Sequence, residues 1–175
     1  MPLVAKRTVF EGRMITVNVE RVELPNGVTS DLEIIRHPGG AAIIAVNVAG
    51  EVCLLRQFRH AVDGWLLELP AGKRDDGEQP LLTAQRELLE ETGLSAERWT
   101  PLGEYVSSPG VLTEIVHLFL ATRLVMGEAC PEAGEVFETQ WLPLEQALAL
   151  ALAGDITDGK TVVGLARAAE RIKSK

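Results

Sequence analysis

The sequence predicts an α/β protein with mixed sheets. Segments rich in β-forming residues fill most of the first 70 positions, an acidic helical segment follows, and two further helical segments close the chain. At 175 residues and 46% hydrophobic composition, the chain is long enough to bury a good core. We expect one domain with a small N-terminal extension.

The first predicted element is a β-hairpin. Segments 17–24 and 28–36 are β-rich and flank Asn26-Gly27, a strong two-residue turn signal. A second hairpin is predicted around Ala49-Gly50, and its first segment is apolar on both faces, as expected for a buried strand. The predicted strands are 17–24, 28–36, 41–48, 51–58, 65–69, 102–106, 115–124 and 136–141.

Three helices complete the prediction. The first spans about 80–92 and is followed by Gly93, a helix-ending glycine. The other two span about 144–153 and 160–173. The N-terminal segment, about residues 1–40, contains too few strands to be stable alone. We therefore treat 1–40 as an antiparallel β extension and 41–175 as the main domain.

Three glutamates crowd the end of the first helix. At 3.6 residues per turn, Glu91 lies about 40° and Glu90 about 60° from Glu87, so all three share one face. Such charges repel one another and oppose the helix dipole. A solvated acidic surface helix is the simpler interpretation, but apolar residues hold this helix along much of its circumference. A Pro- and Gly-punctuated loop precedes it. The pattern favours a metal site.

The complete run has a defined spacing. Gly72 is followed after five residues by Glu78, and after seven more by Arg86-Glu87-Leu88-x-Glu90-Glu91-x-Gly93-Leu94. This run resembles the Nudix box of the Nudix hydrolases at every defining position. The resemblance implies an α-β-α sandwich, and an enzyme that cuts the pyrophosphate of a nucleoside diphosphate linked to another moiety.

The resemblance also implies a magnesium or manganese site. Hard divalent ions take oxygen ligands, and two of them can clamp the attacking and leaving oxygens of a pyrophosphate. Glu78 and Arg86 are expected to hold the loop and helix together. The implied metal ligands are the Ala71 carbonyl, Glu87, Glu90 and Glu91.

A second signature lies fifteen residues past the box. Pro109 stands in a Ser-Pro-Gly loop, and Glu114 follows it. Alone, this loop would be an ordinary turn; at this offset it resembles the ADP-ribose pyrophosphatase subfamily. Glu114 is the leading candidate for the general base or for a further metal contact, and Glu90 is the other candidate catalytic group. Segment 156–161 also resembles a segment common near the C-terminus of these enzymes, and we assign it no catalytic role.

Three further residues are candidates for substrate binding. Arg56 and Arg59 belong to an Arg-Gln-aromatic-Arg segment that the family often places near substrate. A strand-end arginine is most often solvated, but a planar guanidinium suits bidentate phosphate binding. Glu68, just before the loop, either faces the cleft or ends a strand.

Charge and composition restrict the partners. Lys and Arg number 17 against 25 Asp and Glu, a net charge of -8, so the overall field repels nucleotides and local cations must attract them. We expect no nucleic-acid partner, and no membrane partner since no apolar run approaches about 20 residues. Two unpatterned cysteines suggest reduced thiols, and the first residues show no signal-peptide core. We expect a cytoplasmic protein.

The resulting hypothesis is a Mg²⁺- or Mn²⁺-dependent hydrolase that converts ADP-ribose to AMP and ribose 5-phosphate. Another nucleotide sugar, such as GDP-mannose or ADP-glucose, is the nearest alternative substrate. An alternative of another class is a sensor that binds ADP-ribose without cleaving it. In related enzymes the N-terminal extension packs across a homodimer, so we expect a homodimer.

Overall fold

The computed structural model describes residues 2–130, 134 and 136–174. Within them it contains ten strands and three α-helices, with a short 3-10 helix at His60–Val62. In chain order the elements are β1 (Leu3–Glu11), β2 (Thr16–Glu23), β3 (Thr29–Arg36), β4 (Gly40–Ala45), β5 (Glu51–Arg59), β6 (Gly64–Glu68), β7 (Ala71–Lys73), α1 (Pro80–Thr92), β8 (Leu94–Val106), β9 (Ile115–Met126), β10 (Phe137–Pro143), α2 (Leu144–Ala153) and α3 (Gly159–Lys173).

The chain divides into two compact units. The first comprises residues 1–39 together with 106–115, and the second comprises 40–105 and 116–175. In the first unit, β1, β2 and β3 form an antiparallel sheet in that order. Segment 106–115 attaches to β3, where the Ile35 amide donates to the Val111 carbonyl at 2.7 Å and the Thr113 amide donates to the Ile35 carbonyl at 3.0 Å. The predicted division at residue 40 places this segment with 41–175 instead.

The second unit contains two sheets. One has the order β10-β5-β6 with antiparallel pairing. The other has the order β7-β4-β9-β8, in which β4 pairs parallel with β9 and antiparallel with β7. All six residues of β4 are buried, which explains why its sequence is apolar on both faces.

Two hydrophobic clusters lie on the two faces of β4. Ala42 and Ile44 belong to the cluster that includes residues of α2 and α3, whereas Ala41 and Ile43 belong to the cluster that includes residues of α1. Alternate residues of a strand point to opposite faces, so one buried strand supplies both clusters. The helices therefore cover the sheets from two sides, and the predicted α-β-α sandwich with mixed sheets is confirmed.

Most predicted elements are present. The first hairpin appears as β2 and β3, and the predicted helices at 80–92 and 144–153 match α1 and α2 residue for residue. Gly93 ends α1 with φ 69° in the left-handed region, as expected. The last helix begins one residue earlier than predicted. These elements carry strong local signals, namely turn residues, helical periodicity and capping glycines.

The second hairpin prediction is wrong. β4 and β5 join different sheets, and their direct pairing is limited to the turn between them. There, Val46 and Val52 form an antiparallel bridge and the Asn47 amide donates to the Glu51 carbonyl at 2.9 Å. A strand that is apolar on both faces needs neighbours and cover on both sides, and β9 provides a parallel partner from far along the chain. The sequence pattern does not predict β1 or β7, and the predicted strand 102–106 is only the last part of β8, which begins at Leu94.

No helix in the described part of the chain is long and apolar enough to cross a membrane.

Candidate active site

The box begins on a short strand that follows β6. Pro70 and its neighbours were predicted as a tight loop, but Ala71–Lys73 forms β7, which pairs with β4. The Pro70 carbonyl accepts a hydrogen bond from the Ile43 amide at 2.8 Å. These bonds fix the backbone at Ala71, whose carbonyl is the predicted main-chain metal ligand.

Two box glutamates are buried against this strand. Glu87 is 8% exposed and Glu91 is 3% exposed. The Ala71 amide donates to Glu91 Oε2 at 2.9 Å. A Cβ on Gly72 would lie 2.0 Å from the Glu87 carboxyl carbon, so only glycine leaves room for that carboxylate. The structure therefore brings Ala71, Glu87 and Glu91 together, as the box spacing predicted.

Arg86 links the carboxylates of the box. Its guanidinium donates to Glu87 Oε1 at 2.7 Å, to Glu90 Oε2 at 3.1 Å and to Glu78 Oε2 at 3.0 Å. It also donates to the Lys73 carbonyl at 3.1 Å. The hydrogen bonds to Glu78 and Glu87 raise the pKa of Arg86 above its ordinary value, so this residue is always charged. One cation thereby joins the end of β7, the loop and α1.

Glu78 stabilises the loop between β7 and α1 through several hydrogen bonds. It accepts hydrogen bonds from Arg86, from the Thr83 hydroxyl at 2.7 Å and from the Asp75 amide at 3.2 Å. The bonds from Arg86, with smaller contributions from Thr83 and Asp75, lower the pKa of Glu78 to about 2. Glu78 is therefore ionised at every physiological pH and holds the loop in one conformation.

The donors around Gly72 suit a hard divalent cation. Glu87, Glu90 and Glu91 offer carboxylate oxygens, and Ala71 offers a carbonyl oxygen, which are the ligand types that magnesium and manganese prefer. Across residues 2–130, 134 and 136–174, no three acidic, histidine or cysteine side chains are already arranged to hold a metal ion. Arg86 pairs with Glu87 at 2.7 Å and with Glu90 at 3.1 Å, so part of the negative charge of this cluster is already balanced. The residue types around Gly72 fit a divalent metal ion.

A second group of charges lies at the ends of β5 and β6. Arg59 donates from Nε and Nη2 to the two oxygens of Glu68, at 2.8 and 2.9 Å. Lys160, from the start of α3, donates to Glu68 Oε2 at 2.5 Å. Burial tends to raise the pKa of Glu68, but the hydrogen bonds and charges of Arg59 and Lys160 outweigh it, so that pKa lies below its ordinary value. Glu68 is therefore an ionised carboxylate between two cations.

Lys160 was not among the sequence-predicted site residues. Segment 156–161 resembles a segment of related enzymes, but no spacing rule connects it to Glu68. Lys160 and Glu68 are 92 positions apart in the sequence. The hydrogen bond between the Thr161 hydroxyl and the Leu69 amide, at 2.9 Å, is equally remote in sequence. Only the packing of α3 against the end of β6 reveals these contacts.

Arg56 lies apart from this group. Its guanidinium stands 4.3 Å from the centre of the Trp65 ring and 3.6 Å from a Glu138 oxygen. Because residues three apart on a strand point to opposite faces, Arg56 and Arg59 do not face the same side of β5. The structure thus places Arg59 and Glu68 together and Arg56 elsewhere.

Glu114 lies in the first unit, at the end of segment 106–115. One of its oxygens is 3.5 Å from Nδ1 of His37, and this Nδ1 also accepts the Gly39 amide at 3.0 Å. The Thr113 hydroxyl accepts the His37 amide at 3.0 Å. Glu114 therefore lies beside His37 within the first unit.

Comparison with known families agrees with the box. The NUDIX domain matches residues 36–162 of this chain, which contain the whole run from Gly72 to Leu94. The chain belongs to the Nudix family. The predicted resemblance is therefore confirmed.

Several proteins are similar to this Nudix chain over most of its length. An ADP-ribose pyrophosphatase of Bacillus subtilis is 42% identical over 164 residues, which is 93% of this chain and 89% of the relative. A methanol dehydrogenase activator of Bacillus methanolicus is 40% identical over 90% of this chain and 86% of the relative. A GDP-mannose pyrophosphatase of Salmonella arizonae is 36% identical over 75% of this chain and 73% of the relative.

A solved structure gives the same result for the fold. The crystal structure of an ADP compounds hydrolase matches with a TM-score of 0.84 and 25% identity, covering 99% of this chain and 94% of that chain. Together these comparisons show a Nudix pyrophosphatase that acts on nucleoside diphosphate derivatives and resembles the ADP-ribose pyrophosphatases. Nudix hydrolases generally use divalent metal ions, which agrees with the oxygen donors around Gly72.

Proposed function

We propose that the protein hydrolyses the pyrophosphate bond of ADP-ribose, giving AMP and ribose 5-phosphate, with Mg²⁺ or Mn²⁺ bound at the box. The observation that carries the proposal is the pair of buried carboxylates, Glu87 and Glu91, held against β7 where Gly72 leaves them room. Carboxylate oxygens are the ligands that hard divalent ions such as Mg²⁺ and Mn²⁺ take in proteins. The 42% identity to an ADP-ribose pyrophosphatase supports this choice of substrate.

Each residue of the candidate active site has a proposed role. Glu87, Glu91, Glu90 and the Ala71 carbonyl would hold the metal ions, which when bound neutralise the pyrophosphate and lower the pKa of water. Arg86 and Glu78 keep the acidic helix and the loop in register. Glu114 is the proposed general base, since a carboxylate in reach of the attacking water can accept its proton.

Arg59 is the proposed phosphate contact. Its Nε and Nη2 are engaged by Glu68, and its side chain is 40% exposed. A guanidinium has five N–H donors, so the remaining ones can donate to phosphate oxygens while Glu68 fixes the plane of the group. Glu68 then supports binding by orienting Arg59. Arg56 stays a predicted substrate contact, on the other face of β5.

Substrate preference can be tested with a panel of nucleoside diphosphate sugars. Purified protein and Mg²⁺ are supplied with ADP-ribose, GDP-mannose or ADP-glucose, and the products are measured as phosphate released by an added phosphatase. ADP-ribose should give the highest kcat/KM. If it ranks among the poorest substrates, a GDP-mannose or ADP-glucose pyrophosphatase becomes the better assignment, and the GDP-mannose pyrophosphatase relative makes GDP-mannose the first alternative.

The metal role can be tested with Glu91→Gln. This change keeps the shape of the side chain and removes a charge, so Mn²⁺ affinity should fall and kcat should drop at least about 100-fold, as for other transition-state contacts. Glu170→Gln, an exposed position on α3, is the matched control and should behave as wild type. Near-normal turnover by Glu91→Gln would remove Glu91 from the metal site. ADP-ribose binding by calorimetry without any turnover of the wild type would favour the sensor alternative.

We also propose that the N-terminal extension mediates a homodimer. All nine residues of β1 are exposed, including a set of large apolar side chains: Leu3, Val4, Val9 and Phe10. An exposed strand with such residues is typical of an interface between subunits. The proposal places the enzyme in the cytoplasm, where the two free cysteines would stay reduced.

A further inference from the structure

Four charged side chains form a compact group at the start of α3, which we call the α3 charge group: Arg59, Glu68, Asp158 and Lys160. Glu68 accepts both Arg59 and Lys160, and Lys160 also donates to Asp158 Oδ1 at 3.0 Å. Two anions and two cations are therefore present. The Nudix box residues are not members of this group, and the function proposed above gives Lys160 and Asp158 no role.

The α3 charge group is buried at Glu68 and exposed to solvent at Arg59. The Glu68 side chain is 2% exposed and that of Lys160 is 16% exposed, whereas that of Arg59 is 40% exposed. A buried carboxylate is strongly disfavoured when one of its partners is removed. Lys160 is thus the more buried of the two cations that balance Glu68. Arg59 is the solvent-exposed cation, and it has N–H donors that Glu68 does not use.

Asp158 fixes Lys160 as part of the helix start. Asp158 caps α3 by accepting the Thr161 amide at 3.0 Å and the Thr161 hydroxyl at 2.5 Å. The same hydroxyl accepts the Leu69 amide at 2.9 Å, directly after Glu68. Thr161 is fully buried. The start of α3 is therefore locked onto the end of β6 by both backbone and charge contacts.

We propose that Lys160 is a positioning residue for Arg59, acting through the buried Glu68 carboxylate, and that it thereby sets the affinity for the phosphates of the substrate. The inference rests on the proposed function, since Arg59 is taken to contact those phosphates. Without Lys160 the group would hold two anions against one cation. Arg59 would then be the remaining cation of the group, beside both Glu68 and Asp158, and the excess negative charge would repel a pyrophosphate.

The first test is Lys160→Met, measured with the nucleoside diphosphate sugar that the wild type cleaves best. KM should rise at least about fivefold while kcat changes by less than about threefold, because binding and not chemistry is affected. Lys160→Arg retains the charge and should restore KM to within about twofold of wild type. Lys173→Met, at the exposed end of the same helix, is the matched control and should leave both constants unchanged.

The decisive test is a double-mutant cycle with Arg59→Lys. If Lys160 acts through Arg59, the KM of Arg59→Lys/Lys160→Met should lie within about twofold of that of the more affected single variant. The matched cycle with Arg56→Lys should be multiplicative, since Arg56 contacts Trp65 and lies outside the α3 charge group. A multiplicative Arg59 cycle, or a loss confined to kcat, would overturn the inference.

Folding and function are controlled separately. Thermal unfolding and Mn²⁺ affinity are measured for each variant. Lys160→Met should unfold at a lower temperature than wild type, because the buried Glu68 loses a partner, whereas its Mn²⁺ affinity should match wild type. Should Lys160→Met fail to fold, Lys160→Gln enters the same cycle with the same criterion. A wild type that cleaves no nucleotide sugar defeats the proposed function and this inference together; a turning-over wild type with a multiplicative Arg59 cycle defeats the inference alone.

Discussion

At the scale of single residues, Gly72 has the most demanding position in the site. Any β-carbon there would meet the Glu87 carboxylate at about 2.0 Å. The carboxylate is the end of a flexible side chain, so Gly72→Ala should fold, with Glu87 pushed away from β7. Displacement of about 1 Å in a catalytic group typically costs about 100-fold in rate.

We therefore expect Gly72→Ala to lower kcat by about 10- to 100-fold, with weaker Mn²⁺ binding and little change in melting temperature. Steady-state kinetics and calorimetric metal titration would measure this. Gly64→Ala is the matched control, since a β-carbon there meets only the Val62 carbonyl at 3.7 Å, an ordinary contact. Equal rates for the two variants would contradict the assigned position of Glu87.

Glu78 provides a pH-dependent prediction at the same scale. Hydrogen bonds, chiefly from Arg86, lower its pKa from 4.5 to about 2, so the folded state favours the ionised form. The resulting stabilisation is complete above pH 4.5 and is lost as the pH falls from 4.5 to about 2, because the unfolded chain then binds the proton first.

The difference in unfolding free energy between wild type and Glu78→Gln should therefore be largest near neutral pH and should shrink steadily below pH 4.5. Urea unfolding at a series of pH values would measure it. Glu170→Gln, which is exposed, should show no such trend. A difference in unfolding free energy that stays constant down to pH 2 would contradict a lowered pKa of Glu78 in the folded state.

At the scale of elements, two helices end on glycines with different surroundings. Gly93 ends α1 with φ 69° and Gly154 ends α2 with φ 89°, both in the left-handed region. A β-carbon on Gly154 would meet nothing within 4 Å, whereas one on Gly93 would lie 2.8 Å from the Ala129 amide nitrogen and 2.9 Å from the Gly127 carbonyl. Only Gly93 is packed against another backbone segment.

Gly154→Ala should cost about 1–2 kcal/mol of unfolding free energy, the cost of a left-handed alanine. Gly93→Ala should cost at least about 1 kcal/mol more, because backbone atoms must move to accept the methyl group. Chemical denaturation of the two variants compares them directly. Equal losses of unfolding free energy would show that the backbone after β9 moves to accept the methyl group at little cost.

Element prediction succeeded where the signal was local. The limits of α1 follow from Pro80 at its start, Gly93 after its end and apolar spacing between them. β7 was missed because a three-residue strand between Pro70 and a loop has no periodicity of its own. β7 forms because it pairs with the edge of β4, and no local sequence pattern indicates that pairing.

At the scale of the whole molecule, the outer strand of the N-terminal sheet, β1, exposes several large apolar side chains. Phe10 is 55% exposed on β1. If β1 forms the homodimer interface, Phe10→Glu should shift the protein to monomer in sedimentation experiments, since burying an unpaired charge is costly. Leu152→Glu changes a 74%-exposed residue on α2 and should leave the mass unchanged. A wild type that sediments as an active monomer would refute the homodimer.

The sequence by itself determined the family, the fold class and the carboxylates of the box. Glu87 and Glu91 share a helix face because helical geometry is fixed by spacing, and Gly72 marks the gap because no other residue lacks a side chain. Local geometry is encoded within a few residues of chain, so a pattern can be read without the fold.

Only the tertiary structure decided how distant segments meet. It separated β4 from β5, attached segment 106–115 to the N-terminal sheet and set Lys160 against Glu68, 92 residues away. It also set Arg59 against Glu68 and Arg56 against Trp65. Contacts of this kind depend on which surfaces are buried together, and burial is a property of the packed chain as a whole.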